Sequence, residues 1–372
     1  MPEPRVLPVT AEVKKIARSY DASNLSIGIV GSQCAEPLAI AGRAAGFRTI
    51  FLGQKGRDAY YTRENAHLFD EVFALPRWDD ALKPDIVAKL VALNAILMPN
   101  RAMVPYWKYD GIETVPVPMF GNRGLICAEE RDRPYNQYFL MDEAGIKRPR
   151  EFKNPAEIDR KVVVKAQNVK NPKDRAFTFP STPQEYDDMM RANIALGIAT
   201  EEAYRKARIE EFWSNRYYNA NFHVYSIDGI SQTGYDFVGN GDREQIEGTG
   251  EELGHRGKTT RESFVYTYFE VLQKMLKVAA AYYPPGLRGP VGIQGAWRAD
   301  ADGNPEYGVF DWSFRGQGDP PMGPTSPQMR NLRLKHAELL KLHRMTIEDP
   351  FDLIMLELKE AARRERLPDT VT

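Results

Sequence analysis

The sequence predicts a parallel α/β domain at its N-terminal end, followed by a mixed α+β region. Three observations carry this reading. First, LSIGIVGS (25–32) and RTIFLG (48–53) are apolar runs of strand length, and the helical stretch CAEPLAIAGRAAG lies between them. That is a β-α-β opening, which favours a parallel sheet with helices on its faces. Second, strand and helix patterns keep alternating as far as residue 122. Third, the pattern beyond residue 160 changes to a valine-rich strand and then to alternating strands with glycine turns, as in antiparallel sheet.

Composition sets outer bounds. The 372 residues suffice for two or three compact domains with sizeable cores. Lys+Arg 50 against Asp+Glu 51 gives a formal charge of -1, so nothing attracts the whole chain to nucleic acid or an acidic membrane. Two cysteines, Cys34 and Cys127, exclude a disulfide framework or zinc ribbon and fit a reducing cytoplasm. No apolar run spans a bilayer, and the N-terminus has no signal-peptide core.

In chain order, residues 1–24 read as a polar arm with a short helix capped by Thr10. Strands are expected at 25–32, 48–53, 70–76, 95–99 and 114–121, with helices at about 34–45 and 85–94. Residues 25–124 form the first domain. Ligands in such sheets meet the carboxyl ends of the strands, here Gly31-Ser32-Gln33, Gly53-Gln54-Lys55, Pro99-Asn100-Arg101 and Gly121-Asn122-Arg123. A helical link ends at Gly145, and a small subdomain runs from 125 to 210. KVVVKA (161–166) pairs with FTFPS (177–181), and Thr182 caps the next helix. The remainder, 211–372, holds strands over 208–239 with turns at Asp228-Gly229 and Gly239-Asn240-Gly241. A helix follows at 261–282, then a hairpin over 290–316 turning at Asp302-Gly303-Asn304, and C-terminal helices. The first strand leads to GSQCAEP, so neither a dinucleotide fingerprint nor a Walker A loop is present.

Four constellations could carry chemistry. Lys165 ends the valine-rich strand, and burying its ammonium costs several kcal/mol unless an anion offsets it. Phosphate suits, with Lys170, Lys173 and Arg175 on the adjoining loop; a lysine snorkelling at a solvated hairpin explains the pattern too. Glu210-Glu211 could meet a ribose and an adenine edge, or form a surface charge pair. Gln294 and Asp311 face each other across the hairpin, with Ser313 and Arg315 on the same side. Phe310, Trp312 and Phe314 take the other face. Two oxygen ligands suit Mg²⁺ and a guanidinium suits a phosphoryl oxygen, although an Asp–Arg pair could simply brace the hairpin. Asn122-Arg123 suits an anion or a domain-joining turn. His255 lies in a loop of cations and hydroxyls, and none of the five histidines has metal-ligand spacing.

The order of segments VPMFGNRGLICAEERDR, FLMDEAGIKRPREFKNPAEIDRKVVVKA, RIEEF, PPGLRGPVGIQ and GVFDWSFR resembles the archaeal formate-dependent FAICAR synthetase family of ATP-grasp ligases. The likeness covers about residues 25–330. It implies an ATP-grasp fold behind an N-terminal α/β domain that holds the amine. ATP would activate formate as formyl phosphate, and the amine of an aminoimidazole carboxamide ribotide would attack it. Position by position, the resemblance puts Lys165, Arg175, Glu210 and Glu211 at ATP and Gln294 with Asp311 at Mg²⁺, for which Mn²⁺ can substitute. Arg315 falls at the transferred phosphoryl group, and Ser32, Gln33, Ala102, Asn122, Arg123 and His255 at the substrate.

Several positions depart from the family. Gln33 replaces a histidine, Ala102 a serine and His255 an asparagine. QNVKNPKDR replaces a glycine-rich phosphate loop, Pro321 stands near a late asparagine, and Asp311 shortens a glutamate. These departures leave two rivals: a paralogue joining another acid and amine, for example in one-carbon cofactor biosynthesis, and a non-catalytic nucleotide-binding descendant. The implied partners are a small carboxylate and an amine, without nucleic acid or membrane, in a homo-oligomer.

Overall fold

The computed structural model describes residues 3–31, 34–130, 133–166, 177–213, 217–245, 252–316 and 323–372. Three sheets organise them. The first is parallel, with order β3-β2-β1-β4, built from β1 (Ser26–Val30), β2 (Arg48–Gln54), β3 (Glu71–Leu75) and β4 (Ala95–Met98). Every residue of β1 is buried, as expected of a central strand covered on both faces. The order steps outward from β1 in both directions, so the switch in direction falls between the carboxyl ends of β1 and β4.

The second sheet has order β5-β8-β6-β7, from β5 (Glu151–Phe152), β6 (Val162–Lys165), β7 (Phe177–Thr178) and β8 (Arg208–Glu211). The pairing of β6 with β7 is the one expected, and Thr182 caps the following helix by accepting from the Glu185 amide. The third is antiparallel, β11-β10-β9-β12-β13, from β9 (Asn219–Val224), β10 (Tyr235–Gln245), β11 (Glu252–Lys258), β12 (Gly289–Ala299) and β13 (Pro305–Ser313). The helix Glu262–Tyr282 lays Tyr268, Leu272, Met275 and Ala279 against its apolar face.

Several elements differ from expectation. Residues 114–121 form no strand and make only isolated bridges at Met119 and Phe120, because Pro116 and Pro118 cannot donate to a ladder. Gly239-Asn240-Gly241 lies inside β10, where a bulge absorbs Val238, so it is not a turn. The segment carrying His255 is strand β11, and the polar stretch had masked it as a loop. The N-terminal residues are not a free arm: the helix Val9–Ser19 starts one residue before Thr10 and buries Val9, Val13 and Ala17 in the core of the first sheet.

The C-terminal helix Asp352–Arg363 also belongs to that core. Its Ile354, Met355 and Leu358 pack there with Phe351 and Val371. Each such side chain contributes roughly 1.5–3 kcal/mol by leaving water. The turn before this helix is held by carboxylates. Asp352 accepts from the amides of Glu348 and Asp349, and Asp349 accepts from that of Phe351. Burial pushes the Asp349 carboxyl up to about 7. The folded chain therefore holds a proton that the unfolded chain has lost. Stability should fall as pH rises from about 4 to about 7. Asp349→Asn keeps the acceptor and should remove that part of the decline, measured as thermal midpoint against pH; an unchanged profile would exclude Asp349 as its source.

Candidate functional site

The site is assembled where β13 leaves the third sheet and meets the first. The β12–β13 register sets Gln294 directly opposite Asp311, as the spacing required. A bulge follows between Gln294 and Gly295, so Phe310 has no partner in the ladder. That bulge corrects one expectation. Trp312 and Phe314 enter the core, whereas Phe310 turns to Tyr217, with ring centroids 5.4 Å apart.

Two residues of the linker hold this strand end. Gln137, almost fully buried, donates from Nε2 to Asp311 Oδ1 (2.5 Å) and to the Glu129 carbonyl (2.8 Å). Its Oε1 accepts from the Trp312 amide at 2.6 Å. Glu129 accepts from the Phe314 amide (2.8 Å) and from Arg315 Nε (3.1 Å). Burial pushes the Glu129 carboxyl above its ordinary value, against the pull of Arg315 and Arg101. Neither linker residue was singled out from the sequence. Glu129 lies in the run AEERDR, which reads as a solvated charge cluster, and nothing local marks it as buried.

The strand then touches the switch point of the first sheet. The Gly316 amide donates to the Pro99 carbonyl (3.2 Å), and Cys34 Sγ lies 3.7 Å from the Gly316 carbonyl. Asn100 ties the two strand ends together by donating to the Val30 carbonyl (2.7 Å) and accepting from the Ala102 amide (3.0 Å). Arg101 pairs with Glu130 at 2.8 Å. Ala102 brings no polar side chain to the crevice. Ser32, Gln33, Arg175, Lys170, Lys173 and Pro321 lie outside the described residues.

On the second sheet, Lys165 is 6% exposed and its ammonium lies 2.5 Å from Glu210. It also donates to Tyr138 Oη (3.2 Å) and to the Phe310 carbonyl (3.4 Å), which brings this sheet to the residue next to Asp311. Arg208 stands directly opposite Lys165 in the ladder and stacks on Tyr138 at 3.7 Å. A buried ammonium does have an anionic partner, and Glu210 supplies it.

The structure corrects the pairing of Glu210 with Glu211. Adjacent residues of a strand point to opposite faces. Only Glu210 shares a face with Lys165; Glu211 turns to Arg160 (3.2 Å), Arg298 (2.9 Å) and Trp213 (3.1 Å). Burial acts against its charge, but these donors together hold its carboxyl below the ordinary range. Asn122 and Arg123 are corrected more fully. Asn122 caps the helix Arg123–Ala128 and donates to the carbonyls of Tyr283 and Gly286, both at 2.9 Å. All five guanidinium N–H groups of Arg123 go to the carbonyls of Ile112, Val115, Val117 and Thr372. Burial pulls its pKa down to about 9. Neither residue has a group left for substrate. His255 lies on β11 opposite Arg243, four strands from β13 but on the same sheet face as Gln294 and Asp311.

The donor set fits a hard divalent cation. Gln294 Oε1 is buried without a hydrogen-bond partner beside Asp311. Among the described residues no cluster of three His, Cys, Asp or Glu side chains could hold a metal. Mg²⁺ commonly takes one or two carboxylates and completes its shell with water and phosphate oxygens.

Two family models match the chain. DUF1246, a protein of unknown function, covers residues 27–152, and DUF1297, a domain of unknown function, covers residues 185–372. The curated 5-formaminoimidazole-4-carboxamide-1-(beta)-D-ribofuranosyl 5'-monophosphate synthetase of Methanothermobacter thermautotrophicus is 28% identical, over 97% of this chain and 98% of that protein. The IMP biosynthesis protein PurP of Thermococcus kodakaraensis superposes with a TM-score of 0.66 at 18% identity, covering 93% of this chain and all of the other. The biotin carboxylase domain of the Hydrogenobacter thermophilus 2-oxoglutarate carboxylase, solved with MgADP, gives 0.55 at 14% identity, covering 78% and 64%. The fold is that of the ATP-grasp ligases, and the chain is a divergent relative of the archaeal FAICAR synthetases. Within that class, the chain belongs to the DUF1297 family, whose model spans half of it.

Two tests follow. Arg123→Met removes the five guanidinium hydrogen bonds to the buried carbonyls of Ile112, Val115, Val117 and Thr372 and should cost about 3 kcal/mol or more, read by denaturant unfolding, with nucleotide affinity intact. Wild-type stability with lost substrate binding would return Arg123 to the site. Gln137→Leu removes the Gln137 hydrogen bond from the Asp311 carboxylate, and the Mg²⁺ concentration for half-maximal activity should rise about tenfold or more. An unchanged requirement would make Gln137 a packing residue only.

Proposed function

We propose that this chain is an ADP-forming, formate-dependent ligase of the FAICAR synthetase type, serving purine biosynthesis in the cytoplasm. The observation that supports it most is the Gln294–Asp311 pair, with its unpartnered Gln294 Oε1, on a strand whose end touches the crevice of the parallel sheet. A formate oxygen attacks the γ-phosphorus of ATP, the bond to the bridging oxygen breaks, and ADP leaves. The lone pair of the amine then attacks the formyl carbon. The bond to phosphate breaks, and the nitrogen gives up its proton.

The protein supplies positioning and charge. Lys165 would face the polyphosphate, the role that the resemblance also gives Arg175, and Arg315 is held by Glu129 to meet the transferred phosphoryl oxygens. Gln294 and Asp311 would hold Mg²⁺, or Mn²⁺ in its place, which neutralises phosphate charge. The resemblance gives Ser32, Gln33 and His255 to the amine substrate. In this reading residues 25–124 carry the amine, and the two later sheets close on ATP in a homo-oligomer. One observation favours a second reading, a ligase for a different amine: Ala102 offers the crevice no hydroxyl.

ADP release should require MgATP, formate and 5-aminoimidazole-4-carboxamide ribotide together. Asp311→Asn should lower turnover about 100-fold or more with the thermal midpoint kept. ADP release with another acid–amine pair, and none with this one, would transfer the assignment to the second reading.

A further inference from the structure

The third sheet carries a polar floor that no step above uses. Alternation along β9 sends Ala220, Phe222 and Val224 into the core. Asn219 and Asn221 therefore point to the opposite face, which is the face of Gln294 and Asp311. Asn219 is 1% exposed, and neither its Oδ1 nor its Nδ2 has a hydrogen-bond partner. Asn221 Oδ1 and Gln294 Oε1 are buried and unpartnered as well. Leaving a buried polar group unsatisfied costs about 1–3 kcal/mol, and four such atoms sit together on two neighbouring strands.

The ladder around them is made of glycine. Asn221 lies opposite Gly239 on β10 and Gly292 on β12. Asn219 lies opposite Gly241, which in turn faces Gly257 on β11. Four neighbouring positions thus carry no side chain, and glycine within a strand marks places where a ligand or another backbone comes close. The floor has definite ends. On one side His223 is taken by Glu357 at 2.7 Å and stacks near Phe120. On the other are Gln294, one step along the ladder beyond the Ile293–Ala220 pair, and then Asp311.

We propose that Asn219 and Asn221 form a subsite for the uncharged, planar amide or amino-heterocycle of the amine substrate. A carboxamide offers both donors and acceptors. An amide edge can satisfy both, whereas a carboxylate has acceptors only and would leave the Oδ1 atoms of Asn219 and Asn221 without a donor. Strands lie about 4.8 Å apart, so a ligand on β9 has its amino group one strand from Gln294 and two from Asp311. The inference deepens the proposed function and rests on it only for the identity of the amine.

The test is calorimetry on the full chain with 5-aminoimidazole-4-carboxamide ribotide and its 4-carboxylate counterpart, each with MgADP, and with MgADP alone. The wild-type protein should bind the carboxamide at least about tenfold more tightly than the carboxylate. Asn219→Leu and Asn221→Leu should each weaken the carboxamide about tenfold or more and leave MgADP binding unchanged. Asn219→Leu should also keep or raise the thermal midpoint, because it removes two unpartnered polar atoms; a purely structural asparagine would lower it. Equal affinity for the two ribotides, or variants that bind the carboxamide like wild type, would overturn the subsite. If neither ribotide binds while MgADP does, the purine assignment fails. Benzamide and benzoate then decide the floor: benzamide binding lost in Asn219→Leu supports it, and no benzamide binding overturns it. If MgADP does not bind, the ligase assignment falls, and the comparison of amide with carboxylate still stands.

Discussion

The hydrogen bonds from Gln137 and Glu129 to the end of β13 are the constraint on which the site depends. They fix Asp311 and Arg315 from one linker, and they hold the backbone of Trp312 and Phe314 between them. Because that strand end also reaches the Pro99 carbonyl, the linker sets the distance between the Gln294–Asp311 pair and the crevice of the first sheet. A carboxylate one methylene shorter than glutamate gains most from such bracing, since it cannot compensate for misplacement by its own reach.

Charge in the site is matched before any ligand arrives. Lys165 has Glu210, Arg315 has Glu129, and Arg298 has Glu211. The formal charge of -1 therefore reflects pairing at short range as well as balance over the chain. Buried ion pairs recover their desolvation cost only through good geometry and further hydrogen bonds, and here Tyr138, Phe310 and the Phe314 amide provide them. In the proposed function a polyphosphate beside Lys165 would meet an ammonium already held in place by Glu210, so little side-chain freedom would be lost on binding.

Much of the fold was legible because it rests on local pattern. The β-α-β opening, the helix after Thr182 and the hairpin through Gly303 follow from periodicity and turn residues. The Gln294–Asp311 pairing followed from period-two spacing. What stayed hidden depends on distance along the chain. Gln137 and Asp311 are 174 residues apart, and Arg123 and Thr372 are 249 apart. Asn122-Arg123 looked like a ligand site because exposed and buried arginines are identical in sequence. The bulge at Phe310 was invisible for a similar reason, since an unpaired residue leaves no mark in an alternating run. The carboxamides of β9 read as ordinary strand polarity until the register set glycines beside them.

The first sheet shares its core with two segments far apart in sequence, residues 9–20 and 351–371. Phe351, Ile354, Met355, Leu358 and Val371 pack with the helix that begins at Val9, and residues 371 and 372 pair with 119 and 120. During synthesis the parallel sheet emerges early but lacks part of its apolar cover until residues 351–371 leave the ribosome. The two later sheets lie between these segments in the sequence and can be built while it waits. The crevice between β1 and β4 is therefore completed late, after the two later sheets are in place.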